Sequence, residues 1–226
     1  MIKRVVAAAV FGVLSISIGT SALSTLPAGA ATQSGGVKLA TVVLKTLIVK
    51  GRAPKTGYSR AQFGAAWADV DHNGCDTRND ILRRDLTSIV FRRGTCVVLT
   101  GKLRDPYGGA LINFRRGVRT SSVVQIDHVV ALSDAWQKGA FAWTIAKRTA
   151  FANDGLELLA VDGPLNGRKS DSDAASWLPP NKAFRCFFVA RQIAVKAKYG
   201  VWVTSAERAA FGRVLTKCPK QHLPVG

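Results

Sequence analysis

An aspartate and a histidine stand side by side in an apolar, β-branched run, Val123-Val-Gln-Ile-Asp127-His128-Val-Val-Ala-Leu132. Further on comes Leu156-Glu157-Leu-Leu-Ala-Val-Asp-Gly-Pro-Leu-Asn166-Gly-Arg168-Lys169-Ser-Asp171. Hydrolysis of a phosphodiester needs a base for water, a cation for the leaving oxygen and a fixed geometry. His128, one of three histidines in the chain, is the natural base, because imidazole titrates near neutrality. The Asp127 carboxylate and the Asn166 amide oxygen are hard donors suited to Mg²⁺, with Mn²⁺ or Ca²⁺ as alternatives. Lys169 follows Asn166 at i+3, on the same helix face, and can hold a phosphate oxygen. Each residue also has a plainer reading. An Asp-His pair is often structural, Asn166 can be a helix cap, and Lys169 can be a solvated lysine.

The elements that must position these groups follow from periodicity. Val123–Val130 reads as a strand ending at the Asp-His pair. Two helices, about 133–138 and 140–152, separate it from a short apolar strand, 156–161, after which Asn166 opens a polar helical turn. Upstream, residues 37–49 fit a strand or a helix, the helix with Leu39, Val42, Val43 and Leu47 on one side. Ser59 caps a short helix to Trp67, and Asp76 caps another to about Leu86. Strands are expected at 97–103 and 111–115, joined by the turn Asp105-Pro-Tyr-Gly-Gly109. Asn181–Tyr199 is an amphipathic helix with Arg185, Arg191, Lys196 and Lys198 on its solvated side. Thr204-Ser-Ala-Glu207 is a capping box for the last helix. Asp69-Val-Asp71-His-Asn73-Gly74 opens like a calcium loop, but position twelve is Asp80 and Cys75 interrupts it. The fold class is α+β.

The chain has 226 residues, with 32 Lys+Arg against 14 Asp+Glu and a formal charge of +18. Such a field attracts polyanions: nucleic acid, anionic lipid or acidic wall polymer. Met1-Ile-Lys3-Arg4, the apolar run to Leu14 and Ala28-Gly-Ala30 have the form of an export signal cleaved near Ala30. Residues 1–30 are therefore expected to be a signal peptide, 31–57 a linker or extension, and 58–226 the functional domain, secreted and without stable membrane association. The four cysteines, Cys75, Cys96, Cys186 and Cys218, contain no CxxC pair, which argues against zinc. Of three possible pairings the two local ones, Cys75–Cys96 and Cys186–Cys218, are favoured.

These residues together resemble the HNH endonuclease family. They are Ile126-Asp127-His128-Val-Val-Ala-Leu132, Ala135-Trp136, Phe151-Ala-Asn153-Asp154, Leu158-Leu-Ala-Val161 and Asn166-Gly-Arg-Lys-Ser-Asp171. The closer likeness is to a secreted bacterial branch related to the C-terminal domain of GmrSD restriction enzymes. Cys75-Asp-Thr-Arg78-Asn79, Cys96, Asp105-Pro-Tyr107, Trp177-Leu-Pro-Pro180 and Arg185-Cys186 with Val189 extend the likeness over nearly the whole mature chain. The resemblance implies a ββα-metal core, a small antiparallel sheet surrounded by helices and braced by disulfides. It assigns His128 as general base and Asp127 and Asn166 as ligands of a divalent metal. Glu157 stands where the family usually has the middle asparagine. Either Asn153 takes that part or Glu157 itself approaches the metal, so Glu157 joins His128 and Lys169 as a candidate catalytic residue. Arg78, Arg148, Arg168 and Lys169 are the candidate substrate-binding cations. The expectation is a monomeric secreted nuclease acting on DNA, or on RNA. The alternative is a basic nucleic-acid or polyanion-binding protein on the same scaffold that no longer cuts.

Overall fold

The computed structural model describes residues 38–225, so the expected signal peptide lies outside the described residues. Seven helices and five strands are found among them. β1 (Thr87–Phe91), β2 (Val98–Arg104) and β3 (Leu111–Arg115) form an antiparallel sheet in that order. β4 (Val124–His128) and β5 (Leu158–Asp162) form a separate antiparallel pair, with His128 opposite Leu158 and Val124 opposite Asp162. α3 (Leu132–Gln137) and α4 (Ile145–Ala152) lie in the connection between them. α5 (Gly163–Lys169) follows β5 without a loop and packs on both strands. The result is a mixed α+β fold with small antiparallel sheets and two disulfides, as the sequence led us to expect.

Local chemistry explains most boundaries. The Asp76 side chain accepts from the Asn79 amide and starts α2 (Thr77–Asp85). Thr204 accepts from the Glu207 amide and starts α7 (Ser205–Leu215), the expected cap. Asp162 accepts from the Leu165 amide at 2.8 Å and, with Pro164 in the first turn, starts α5 at Gly163. Asn166 therefore sits inside this helix and does not open it. A side chain at 163 would meet the Ser122 carbonyl oxygen, so only glycine lets the helix begin this close to the neighbouring chain.

Other expectations are corrected. The ambiguous stretch is a helix, α1 (Ala40–Thr46), but it buries Ala40, Val43 and Leu44, while Val42 is exposed. From Lys38 onward the expected extension belongs to the packed domain, because α1 and Leu47 share a core with α6 (Arg185–Tyr199) and α7. Ser59 makes no capping bond, and only a 3₁₀ turn, Arg60–Phe63, forms there. The expected helix over 140–152 is broken into a 3₁₀ turn and α4, because Thr144 restarts it by capping Lys147. β1 was not foreseen. α6 (Arg185–Tyr199) begins later than expected, after a 3₁₀ turn at Lys182–Phe184. Its supposed solvated side is partly interior, since Arg191 and Lys196 are buried.

The burial of Lys196 has a specific cause. Lys138, on the turn after α3, reaches Asp134, Asp173 and Glu207 at 2.7, 2.8 and 2.6 Å. Lys196 reaches Asp134 and Glu207 at 3.3 and 3.0 Å, and Arg52 reaches Asp134 and Asp173 at 2.9 and 2.7 Å. Three cations thus balance three anions, which is what charges removed from water require. The cluster ties α3, α6, α7, the segment after α1 that carries Arg52 and the segment after α5 that carries Asp173 into one interior. Arg191 instead donates to the carbonyls of Leu156, Gly155 and Leu158, fixing the approach to β5. The two disulfides are Cys75–Cys96 and Cys186–Cys218, the favoured local pairs.

Candidate functional site

β4 sets the site through strand alternation, which sends successive side chains to opposite faces. Gln125 and Asp127 share one face, and α5 lies on it. Asn166 Nδ2 donates to Gln125 Oε1 at 2.9 Å, and Lys169 Nζ donates to Asp127 Oδ1 at 2.9 Å and to the His128 carbonyl at 2.8 Å. Asp127 Oδ2 accepts the Tyr107 hydroxyl proton. Asp127, Lys169 and Tyr107 are all buried. Burial raises the Asp127 carboxyl above its ordinary range, while Lys169 and Tyr107 pull the other way.

The His128 imidazole projects elsewhere. Its Nε2 lies 2.9 Å from the Ala152 carbonyl oxygen. Since a carbonyl only accepts, this bond assigns the proton to Nε2 and leaves the Nδ1 lone pair as the basic atom. The Trp67 indole stands nearly parallel to the ring, at 17° with centroids 6.3 Å apart. Burial, with the positive charges of Arg60 and Lys169, holds the imidazole pKa down to about 3, so the ring is neutral at pH 7. The ring lines a cavity with Arg60, Phe63, Trp67, Leu132, Ala152 and Asn153. Asp127, Asn166, Lys169 and Glu157 do not line it.

Glu157 is fully buried just before β5. Its carboxyl oxygens accept from the Val130 amide at 3.2 and 3.3 Å, and its own carbonyl accepts from the Val129 amide. It therefore holds the chain immediately after His128. Burial pushes its pKa well above the ordinary carboxylate range, opposed by Lys169 and reinforced by Asp127. Asn153 caps α4, with Nδ2 donating to the Thr149 carbonyl at 2.9 Å.

The structure thus brings Asp127, Lys169 and Tyr107 together in one buried group, sets Asn166 against Gln125, and puts His128 over a separate cavity. Of the expected substrate-binding cations, Arg168 is exposed and Arg78 is half-buried, donating to the Val124 carbonyl. Arg148 is buried and donates to the carbonyls of Gln62, Ala140 and Trp143, which leaves it no free face for a phosphate. Lys169, committed to Asp127, is likewise closed to phosphate in this arrangement. Trp67, Arg60, Tyr107 and Gln125 were missed from sequence. The strand alternation that pairs Gln125 with Asp127 was the available signal for Gln125. Nothing local pointed to Trp67.

A divalent metal at Asp127 does not fit this donor set. Its two oxygens are taken by an ammonium and a hydroxyl, and the ammonium supplies the positive charge an ion would bring. Among the described residues no group of three or more His, Cys, Asp or Glu side chains is placed to hold an ion. That includes the Asp69–Gly74 turn, where the Asp69 and Asp71 carboxylates accept backbone amides of Asn73 and Gly74.

Residues 76–214 match the family described as the C-terminal domain of GmrSD restriction endonucleases, and the chain belongs to that family. A relative from Arthroderma benhamiae, described as an uncharacterized secreted protein, is 38% identical over 178 residues, covering 78% of this chain and 83% of its own. That relative is fungal, so the comparison gives no support to a bacterial branch. No solved structure matches the chain.

Proposed function

We propose that the protein is a secreted nuclease, acting as a monomer, that hydrolyses phosphodiester bonds of DNA or RNA with His128 as general base. The observation that carries this reading is the state of His128 in a chain of an endonuclease family. Its Nε2–H is fixed on Ala152, which leaves Nδ1 with the free lone pair, and the ring lines a cavity. Nδ1 takes a proton from water as the water oxygen bonds to phosphorus, the bond from phosphorus to the 3′-oxygen breaks, and that oxygen leaves as the hydroxyl by taking up a proton from solvent. Arg60, exposed at the same cavity, supplies positive charge for the phosphate. β4, β5 and α5 correspond in this reading to the ββα frame of HNH enzymes. Glu157 serves in place of the family's asparagine by holding Val130, and is a positioning residue. No step is routed through a metal, because Asp127 is committed to Lys169. The formal charge of +18 supports a nucleic-acid substrate, and the disulfides together with the secreted relative support an extracellular site of action.

The Asp127–Lys169 pair also favours a second reading, a basic polyanion-binding protein that no longer cuts. A plasmid-nicking assay separates the two, run in Mg²⁺, Mn²⁺, Ca²⁺ and EDTA. Nicking that His128→Ala abolishes supports the nuclease. Binding without nicking in every condition supports the second reading. Nicking in Mg²⁺ that EDTA abolishes would mean that Lys169 releases Asp127 to an ion.

A further inference from the structure

The cavity beside His128 holds more than a base. Its volume is about 240 Å³, below the usual range for drug-sized ligands, so it suits a single ring system. Its walls are mainly apolar, formed by Phe63, Ala65, Ala66, Leu132 and the Trp67 indole. Trp67 is held at φ 60, a left-handed conformation that a bulky residue rarely takes, and such residues concentrate at ligand sites. Asn153 also lines the cavity, but its Nδ2 is spent on Thr149 and its Oδ1 is buried, so the polar contacts there fall to Arg60 and His128. A flat apolar surface and an exposed arginine at the same cavity are complementary to a nucleotide. Its base has a π face and N–H donors, and its phosphate is anionic.

We propose that this cavity is a nucleobase subsite. A base turned out of its stack lies against Trp67 and the apolar wall of the cavity, and its phosphate stays at Arg60. This deepens the nuclease reading and rests on it only for the polymer that delivers the base. A ring held here would place the neighbouring phosphodiester beside His128, so unpaired or flexible strands would be the preferred substrates.

The test uses the wild-type chain with deoxyadenosine 5′-monophosphate and, in parallel, deoxyribose 5-phosphate, followed by two-dimensional NMR. The nucleotide is expected to shift the Trp67 indole N–H and the Asn153 side-chain amide, and to bind about tenfold or more tightly than the sugar phosphate. Trp67→Ala should remove that preference. Equal affinity for the two ligands, or shifts confined to residues outside the cavity, would overturn the proposal. The comparison on the wild-type chain decides the matter even if Trp67→Ala does not fold. The two readings fail separately. Nucleotide binding without cleavage of any nucleic acid sinks the nuclease and keeps the subsite. Cleavage with no preference for the base-bearing ligand sinks the subsite and keeps the nuclease.

Discussion

Replacing Glu157 by glutamine should stabilise the protein, and increasingly so as the pH rises. Glu157 is fully buried, and burial raises its pKa well above the ordinary value of 4.5. In the unfolded chain the same carboxyl has an ordinary pKa. Above that value the folded state therefore holds a proton that the unfolded state has released. Stability then falls with rising pH, by up to about 1.4 kcal/mol per pH unit, until the folded group itself ionises. Glutamine keeps an oxygen for the Val130 amide, matches the carboxyl in size and does not titrate. The difference in unfolding free energy between Glu157→Gln and wild type should be flat below pH 4.5. It should then grow, reaching up to about 2 kcal/mol by roughly pH 6. Titration of the groups that do not interact with Glu157 cancels in this difference. Urea unfolding of both proteins at about pH 4, 6 and 8 measures it. A difference independent of pH, or a wild type that gains on the variant as pH rises, would refute the reasoning. It would mean that Lys169 and Arg191 keep Glu157 ionised in the fold. Cleavage by Glu157→Gln should match wild type, since the carboxyl acts only through the chain after His128. Glu157→Ala, which leaves the buried Val130 amide without its acceptor, should cost about 1–3 kcal/mol before any cavity is counted.

Other expectations follow from the same contacts. His128→Ala should abolish nicking while circular dichroism and DNA affinity stay unchanged, and full activity of the variant would remove His128 from the mechanism. Lys138→Met leaves three carboxylates facing two cations, and breaking a buried cluster in this way costs about 3–5 kcal/mol. Chemical denaturation checks it, and a loss under about 1 kcal/mol would show the cluster to be hydrated. Reduction of the disulfides, which span 21 and 32 residues, should lower stability by about 3 kcal/mol each in the chain-entropy model. DNA affinity measured by fluorescence anisotropy should fall linearly on a log–log plot against salt, with a slope near −0.9 per phosphate contacted, and salt-independent binding would rule out the basic surface as the contact.

What could be read from the residues alone was local. Asp76 and Thr204 announce their helices because a capping side chain bonds to an amide three residues away. Cys75–Cys96 and Cys186–Cys218 pair as expected because each closes a short loop. The apolar runs of β4 and β5 disclose strands because both are almost wholly buried. β1 escaped notice because its pattern is mostly exposed and gives little apolar signal. The solvated face assigned to α6 failed for a different reason. A helical wheel places Lys196 among charges but cannot show Asp134 and Glu207 arriving from other helices to bury it. The site divides in the same way. The sequence by itself determined that Asp127, His128, Asn166 and Lys169 lie on one strand and the helix that follows its partner. Only the tertiary structure decided that Lys169 and Tyr107 close over Asp127 on one face, while Trp67 and Asn153, from segments far apart in the chain, build the cavity over His128 on the other. Strand alternation forces neighbouring side chains apart, and which partners await them on each face depends on contacts that adjacency in sequence does not encode.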